Sequence, residues 1–172
     1  MTSNDVPDRY AMDWQAYHQR ARTGPCFVCQ IISRHPDFPA HIIYEDEVAI
    51  AFLDKYPRVA GYTLLAPRAH RAGVTRDFRP KEYLAMQERL HRVAEAVREE
   101  MHAERLYLLA LGSDQGNAHV HWHIVPLPPG TPYEQQQLEI YRLDILKQSP
   151  EELANLAARL RRRIAQRPIL ES

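Results

Sequence analysis

The chain is short of cysteine, of glycine and of net charge. Of its 172 residues two are cysteines and six are glycines, and Lys+Arg and Asp+Glu balance at 22 each. Cys26 and Cys29 are too close together to staple a fold, which excludes a disulfide-framed scaffold and points to a reducing compartment. A formal net charge of zero gives no global field to draw the chain onto nucleic acid or an anionic membrane. No run approaches the roughly 20 apolar residues of a membrane span. The opening MTSNDVPDRYAMDW likewise has no apolar run of signal-peptide length. The expectation is a cytoplasmic protein with neither a nucleic-acid nor a membrane partner. What remains is an ordinary globular composition, 45% apolar and 26% charged, in a length that suits one domain with terminal extensions.

Apolar spacing orders the elements. Residues 8–22 (DRYAMDWQAYHQRAR) read as a helix, with Tyr10, Trp14, Tyr17 and Ala21 on one stripe, and TGPCFVCQII breaks it. HIIYEDEVAIAFLD reads as two strands, His41–Glu45 and Val48–Leu53, around a tight acidic turn. A third strand, Tyr62–Ala66, ends at Pro67. Pro80 opens a long amphipathic helix to about His102, whose apolar side carries Leu84, Leu90, Val93, Ala94, Val97 and Met101. RLYLLAL is a fourth strand and HVHWHIVPL a fifth. Beyond the proline-rich PLPPGTPY, EQQQLEIYRLDILKQ reads as helical. Ser149 then caps a last helix with Pro150 at its first position and Glu151 and Glu152 in the first turn. This order predicts an α+β fold, an antiparallel five-stranded sheet with one long helix. The expected organisation is a single domain over 1–172, with its core at 26–126 and helical extensions at 1–24 and 127–172.

Three of the nine histidines stand at alternate positions in HVHWHIV. On a strand His119, His121 and His123 project to one side, about 6.6 Å apart between neighbours, while Val120, Trp122 and Ile124 face a core. Adjacent imidazoles can bind a metal, move protons or attack an electrophile. From composition alone, a surface strand that happens to hold histidine, or a three-histidine metal site, serves as well. The C-x-x-C pair is equally open between a redox, a zinc and an idle role. Redox chemistry wants a β-α-β context with a helix starting at the first cysteine, and zinc needs two further nitrogen or sulfur ligands.

HVHWHIV fits the pattern His-apolar-His-apolar-His-apolar-apolar that names the histidine triad family of nucleotide hydrolases and transferases. YEDEVAIAFLDKYPRVAGYTLLAPRAH resembles that family's strand pair, nucleotide-binding strand and proline-ended strand, and CFVCQII resembles the opening of its zinc-containing branch. The resemblance covers residues 26–126. It implies a nucleophile at His121, which would capture the α-phosphate of a purine nucleotide as a covalent intermediate for water to release. His123 would assist at the phosphate oxygens or the leaving group, and His119 completes the triad. Asp54 would accept hydrogen bonds from both ribose hydroxyls, and Phe52 and Ile31 would line the base pocket. The turn GSDQGN is shorter than in better-known branches. Asn117 is the nearest candidate there for a phosphate contact, with Ser113 or Gln115 toward the leaving group. Tyr62 stands where many relatives have histidine in a Gly-His-Thr run.

The resemblance also implies structural zinc on Cys26, Cys29, His70 and His119, a closed Cys2His2 set. A homodimer is implied too, since the family pairs protomers through the long helix and an edge strand. The reading favoured is a nucleotidyl hydrolase acting on a purine dinucleoside polyphosphate or a nucleoside phosphoramidate. A transferase or phosphorylase of the same fold is the runner-up, although those branches often carry glutamine in place of the third histidine. A zinc-stabilised nucleotide-binding module with little turnover is the reading from a different class.

Overall fold

The computed structural model describes residues 7–167; the outermost residues of both expected extensions lie outside that range. Five strands form one antiparallel sheet in the order β2-β3-β4-β6-β5. They are β2 (Ile42–Glu45), β3 (Ala49–Leu53), β4 (Thr63–Pro67), β5 (Arg105–Ala110) and β6 (Trp122–Leu127). The predicted α+β class and five-stranded sheet are present, with strand ends shifted by one to three residues.

Every residue of β3 and β4 is buried, as befits central strands covered on both faces, and alternation assigns each face its own core. Ala49, Ala51, Leu53, Leu65, Val120, Trp122 and Ile124 face α3 (Pro80–Glu100) and α4 (Pro150–Ala165). Ile50, Phe52, Tyr62, Leu64, Val125 and Leu127 face the other way, toward Val28 and Ile31 of α2 (Phe27–Ile32). That second face carries the histidines.

The long helix starts at Pro80 as expected and ends two residues short of His102, which takes a left-handed φ of 49°. Its buried stripe is Met86, Leu90, Val93, Ala94, Ala96 and Val97. Leu84, expected on that stripe, is exposed, because at 3.6 residues per turn it lies about 200° around the helix from Met86. The last helix has the predicted cap: Ser149 accepts from Glu152 N–H at 3.1 Å, and Glu152 returns a bond to Ser149 N–H. Its Leu156, Leu160 and Ile164 are buried in the α3-side core, each worth about 1.5–3 kcal/mol of transfer free energy. Arg159 and Arg163 pair with Glu100 of α3.

Two segments differ from the sequence reading. The N-terminal helix, α1, spans Trp14–Thr23, because Asp13 caps it by accepting from Ala16 N–H at 2.9 Å. The Tyr10 expected on its stripe lies instead in β1 (Arg9–Tyr10), paired with β7 (Ile145–Leu146). EQQQLEIYRLDILKQ is not one helix. It forms two 3-10 turns, Tyr133–Gln135 and Gln137–Arg142, and then β7. The extended backbone of Gln136 and the positive φ of Gln137 (57°) break any continuous ladder. The two-stranded β1-β7 pair thus ties the N-terminal segment to the C-terminal one.

Candidate active site and metal cluster

Cys26 caps α2 and Cys29 follows in its first turn, so one helical turn carries both thiols to the same side. His70 follows the proline-ended β4, and His119 leads into β6. The four ligand atoms of Cys26, Cys29, His70 and His119 lie within 4.8 Å of one another. Cys26 Sγ and Cys29 Sγ stand 3.4 and 3.6 Å from His119 Nδ1, and Cys29 Sγ is 3.4 Å from His70 Nδ1. A tetrahedral ion with Zn–S about 2.3 Å and Zn–N about 2.0–2.1 Å sets sulfur–nitrogen edges of about 3.6 Å.

Two further features suit a cation. His119 Nε2 donates to the carbonyl of Pro67 at 2.9 Å, which leaves Nδ1 as a lone pair facing the thiols. Burial and the neighbouring Cys26 push the Cys29 thiol up to about 11, so this thiol resists ionisation unless positive charge arrives beside it. The redox alternative meets its helix condition at Cys26. However, α2 follows another helix rather than a strand, and both sulfurs abut imidazoles.

The triad lies on one face as expected, with Val120, Trp122 and Ile124 in the opposite core. The named strand begins only at Trp122, so His119 and His121 occupy an extended lead-in. Pro67 explains the break. It has no N–H to continue the β4-β6 ladder, and Val120 N–H turns to Arg71 carbonyl at 2.7 Å.

His121 Nδ1 donates to the carbonyl of His119 at 2.7 Å, and the ring is 4% exposed. Burial lowers its pKa, so the imidazole is neutral near pH 7 with its lone pair on Nε2. The rings of His121 and His123 stand 4.8 Å apart, centroid to centroid. Burial, reinforced by His121, brings His123 down to about 3. Its Nδ1 is 2.7 Å from the Tyr62 hydroxyl, and its Nε2 is buried with no hydrogen-bond partner among the described residues. A neutral imidazole with a free lone pair therefore stands beside a second imidazole ring.

Asp54 follows β3 directly. Its backbone N–H donates to Tyr62 carbonyl at 2.9 Å, and its carboxylate accepts from Tyr56 N–H at 2.8 Å. Burial outweighs that N–H and the nearby Arg58, and pushes the carboxyl up to about 6. Phe52 and Ile31 are buried in the same cluster. Asn117 takes a left-handed φ of 54° and donates from Nδ2 to Tyr17 hydroxyl of α1 at 2.8 Å. Ser113 and Gln115 are exposed, with Ser113 Oγ accepting from Gln115 N–H at 3.2 Å.

A model of the HIT domain matches residues 35–129. The chain belongs to the HIT family. Protein hit of Bacillus subtilis is 28% identical over 146 residues, 81% of this chain and 94% of that protein. An uncharacterized HIT-like protein of Mycobacterium tuberculosis is 30% identical over 130 residues, 74% of this chain and 85% of its own. Among solved structures, a hypothetical histidine triad nucleotide-binding protein from Sulfolobus tokodaii aligns with a TM-score of 0.67 at 27% identity, covering 82% of this chain and 93% of that one. A Zn-bound histidine triad family protein from Mycobacterium smegmatis aligns with a TM-score of 0.63 at 30% identity, covering 82% and 94%. The HIT superfamily includes nucleotide hydrolases.

The sequence assigned no site role to four aromatic side chains that meet in this HIT site. Phe27 stands edge-on to His121 with ring centroids 5.4 Å apart, and edge-on to Phe52 at 6.4 Å. Tyr62 meets His123, Tyr141 meets Tyr62, and Tyr17 meets Asn117. Only Tyr62 left a signal in the sequence, as the odd residue in GYT. Phe27, Tyr17 and Tyr141 all lie outside the segment matched to the HIT domain.

Proposed function

We propose that the protein is a nucleotidyl hydrolase that cleaves at the α-phosphate of a purine dinucleoside polyphosphate or nucleoside phosphoramidate, through a nucleotidyl-His121 intermediate. The observation that carries this reading is the tautomer of His121. Its Nδ1–H is held by the His119 carbonyl, so the lone pair is on Nε2, and burial keeps the ring unprotonated. The Nε2 lone pair forms a bond to the α-phosphorus, and the bond to the leaving atom breaks with its electron pair going to that atom. Positive charge on the His121 ring is shared with the His119 carbonyl. Water then attacks the phosphorus, the N–P bond breaks with its pair returning to Nε2, and the surplus proton of the water passes to solvent or to the departed leaving group. Asp54 takes the ribose hydroxyls, and Phe52 and Ile31 with Phe27 form an apolar wall for the base. Asn117 lies at the phosphate end, reached by displacing its bond to Tyr17.

The donor set of Cys26, Cys29, His70 and His119 suits zinc in its three short sulfur–nitrogen edges and in its chemistry. When bound, a closed zinc supplies the charge that keeps two thiolates together. The protein's own contribution is to fix His119, whose carbonyl orients His121. The groove between α3 and the outer edge strand β5, lined by Leu90, Ala94, Leu106 and Leu108, suits a second copy of the chain. The test of function is a panel of adenylyl and guanylyl substrates assayed with wild type and His121→Ala in parallel, with mass spectrometry of quenched enzyme. A nucleotidyl adduct on the His121 peptide is expected. Equal turnover by the two proteins overturns the reading.

A further inference from the structure

We propose that Tyr62 is a positioning residue that fixes His123 as a hydrogen-bond donor through Nε2, and that the site is thereby matched to phosphoanhydride rather than phosphoramidate leaving groups. This rests on the hydrolase reading above and narrows it.

The Tyr62 hydroxyl is buried and stands 2.7 Å from His123 Nδ1 and 3.4 Å from the Tyr141 hydroxyl. A phenol has one proton to give. Of its two neighbours, imidazole nitrogen is both nearer and the better acceptor, so Tyr62 O–H donates to Nδ1. That places the ring proton on Nε2, the atom left buried without a partner among the described residues, in a ring whose centroid is 4.8 Å from that of His121. The Tyr141 ring packs edge-on against Tyr62 with centroids 6.4 Å apart. The segment beyond the HIT-domain match therefore helps hold the residue that sets the tautomer.

The consequence is chemical. When the bond from the α-phosphorus to a bridging oxygen breaks, the electron pair goes to that oxygen. The nucleotide departs as a phosphate anion that needs a hydrogen bond but no proton, and His123 Nε2–H supplies it. An amine leaving group must depart with an added proton. For His123 to give its Nε2 proton and remain neutral, Nδ1 would have to take the proton of Tyr62. That would leave a tyrosinate buried close to Asp54, an arrangement that low polarity and like charge oppose. The same hydrogen bond that makes His123 a good donor makes it a poor acid.

Two measurements decide this. In uniformly 15N-histidine-labelled protein, the signals lost in His123→Gln identify the ring. They are expected to show protonated Nε2 and unprotonated Nδ1 in wild type, with the Nδ1–H form appearing in Tyr62→Phe. This readout needs no turnover, so it stands or falls apart from the hydrolase reading. A wild-type Nδ1–H form, or an unchanged ring in Tyr62→Phe, overturns the positioning role, and the wild-type spectrum decides alone if that variant does not fold. The second measurement compares kcat/KM for diadenosine tetraphosphate and adenosine 5′-phosphoramidate, which share a base and differ in leaving atom. The anhydride is expected to be favoured by about a hundredfold, the lower end of what a positioned proton donor contributes. In Tyr62→Phe, kcat for the anhydride should fall by about tenfold or more at nearly constant KM. A phosphoramidate turned over as fast as the anhydride overturns the leaving-group assignment.

Discussion

Replacing Asp54 by asparagine should stabilise the ligand-free protein at neutral pH while weakening nucleotide binding. Burial lifts the carboxyl from its usual 3.8 to about 6, so the folded protein binds this proton more tightly than the unfolded chain does. Below the lower value both states are protonated and there is no penalty. As pH rises between the two values, the unfolded chain ionises first and gains. Above about 6 both are ionised and the folded state bears the full cost. At about 1.36 kcal/mol per pH unit, the gap corresponds to about 3 kcal/mol at pH 7 and about 1 kcal/mol at pH 4.5. Asparagine keeps the size and the acceptor for Tyr56 N–H without the charge.

Urea denaturation of both proteins at the two pH values reads this difference. Burial also lowers His123, to about 3, but it does so in both proteins and cancels. With a slope of about 1–3 kcal/mol per molar urea, the Asp54→Asn midpoint should rise by about 1 M or more at pH 7 and by about a third of that at pH 4.5. Binding should move the other way. Only the ionised carboxylate accepts from both ribose hydroxyls, so wild-type affinity for a nucleoside should fall about tenfold between pH 7 and pH 5, and the variant should show no such slope. A variant less stable than wild type at pH 7, or a gain equal at both pH values, refutes the claim that the desolvation of this carboxylate outweighs its bond from Tyr56 N–H until ribose binds.

Other outcomes follow from the same site. His121→Ala should lower turnover by at least about a thousandfold with monophosphate binding largely kept, measured by steady-state kinetics and calorimetry. His123→Ala should cost less in the same assays. Protein purified without added metal should carry close to one zinc per chain by elemental analysis, and Cys26→Ser with Cys29→Ser should lose it and lower the melting temperature. Undiminished stability in that double variant would return the cysteines to an idle role. Light scattering at micromolar concentration should give about twice the 20.0 kDa of one chain, since β5 leaves an unpaired edge beside the apolar groove.

How far the sequence could be read depended on how local the cause was. The cap of α4 is written in four consecutive residues, Ser149 to Glu152, and the strand faces in a period of two. Both appear in the structure as expected. Pro67 was legible as a strand end, but its second effect was not. The missing N–H also ends the ladder opposite His121, because that depends on the register of a strand more than fifty residues away. The four metal-type side chains were found through the family pattern, and the geometry adds their convergence.

What could not be read lies where separate segments meet. Tyr17 reaches Asn117 across 100 positions and Tyr141 reaches Tyr62 across 79, so no window of sequence holds both partners. Each comes from the α1 region or the C-terminal segment, where the periodic signal was also weakest. Residues 8–13 and 133–146 form no long amphipathic element, and they are held by the short β1-β7 pair and by Arg9 and Arg58. Arg9 donates to the carbonyls of Arg58 and Asp144, and Arg58 to that of Leu143. Such segments are held by contacts with the rest of the chain rather than by their own pattern, and those contacts place their side chains. This is why a family signature centred on HVHWHIV located the three candidate histidines, while the residues that meet the His123 ring or hold the Asn117 amide came into view only with the assembled chain.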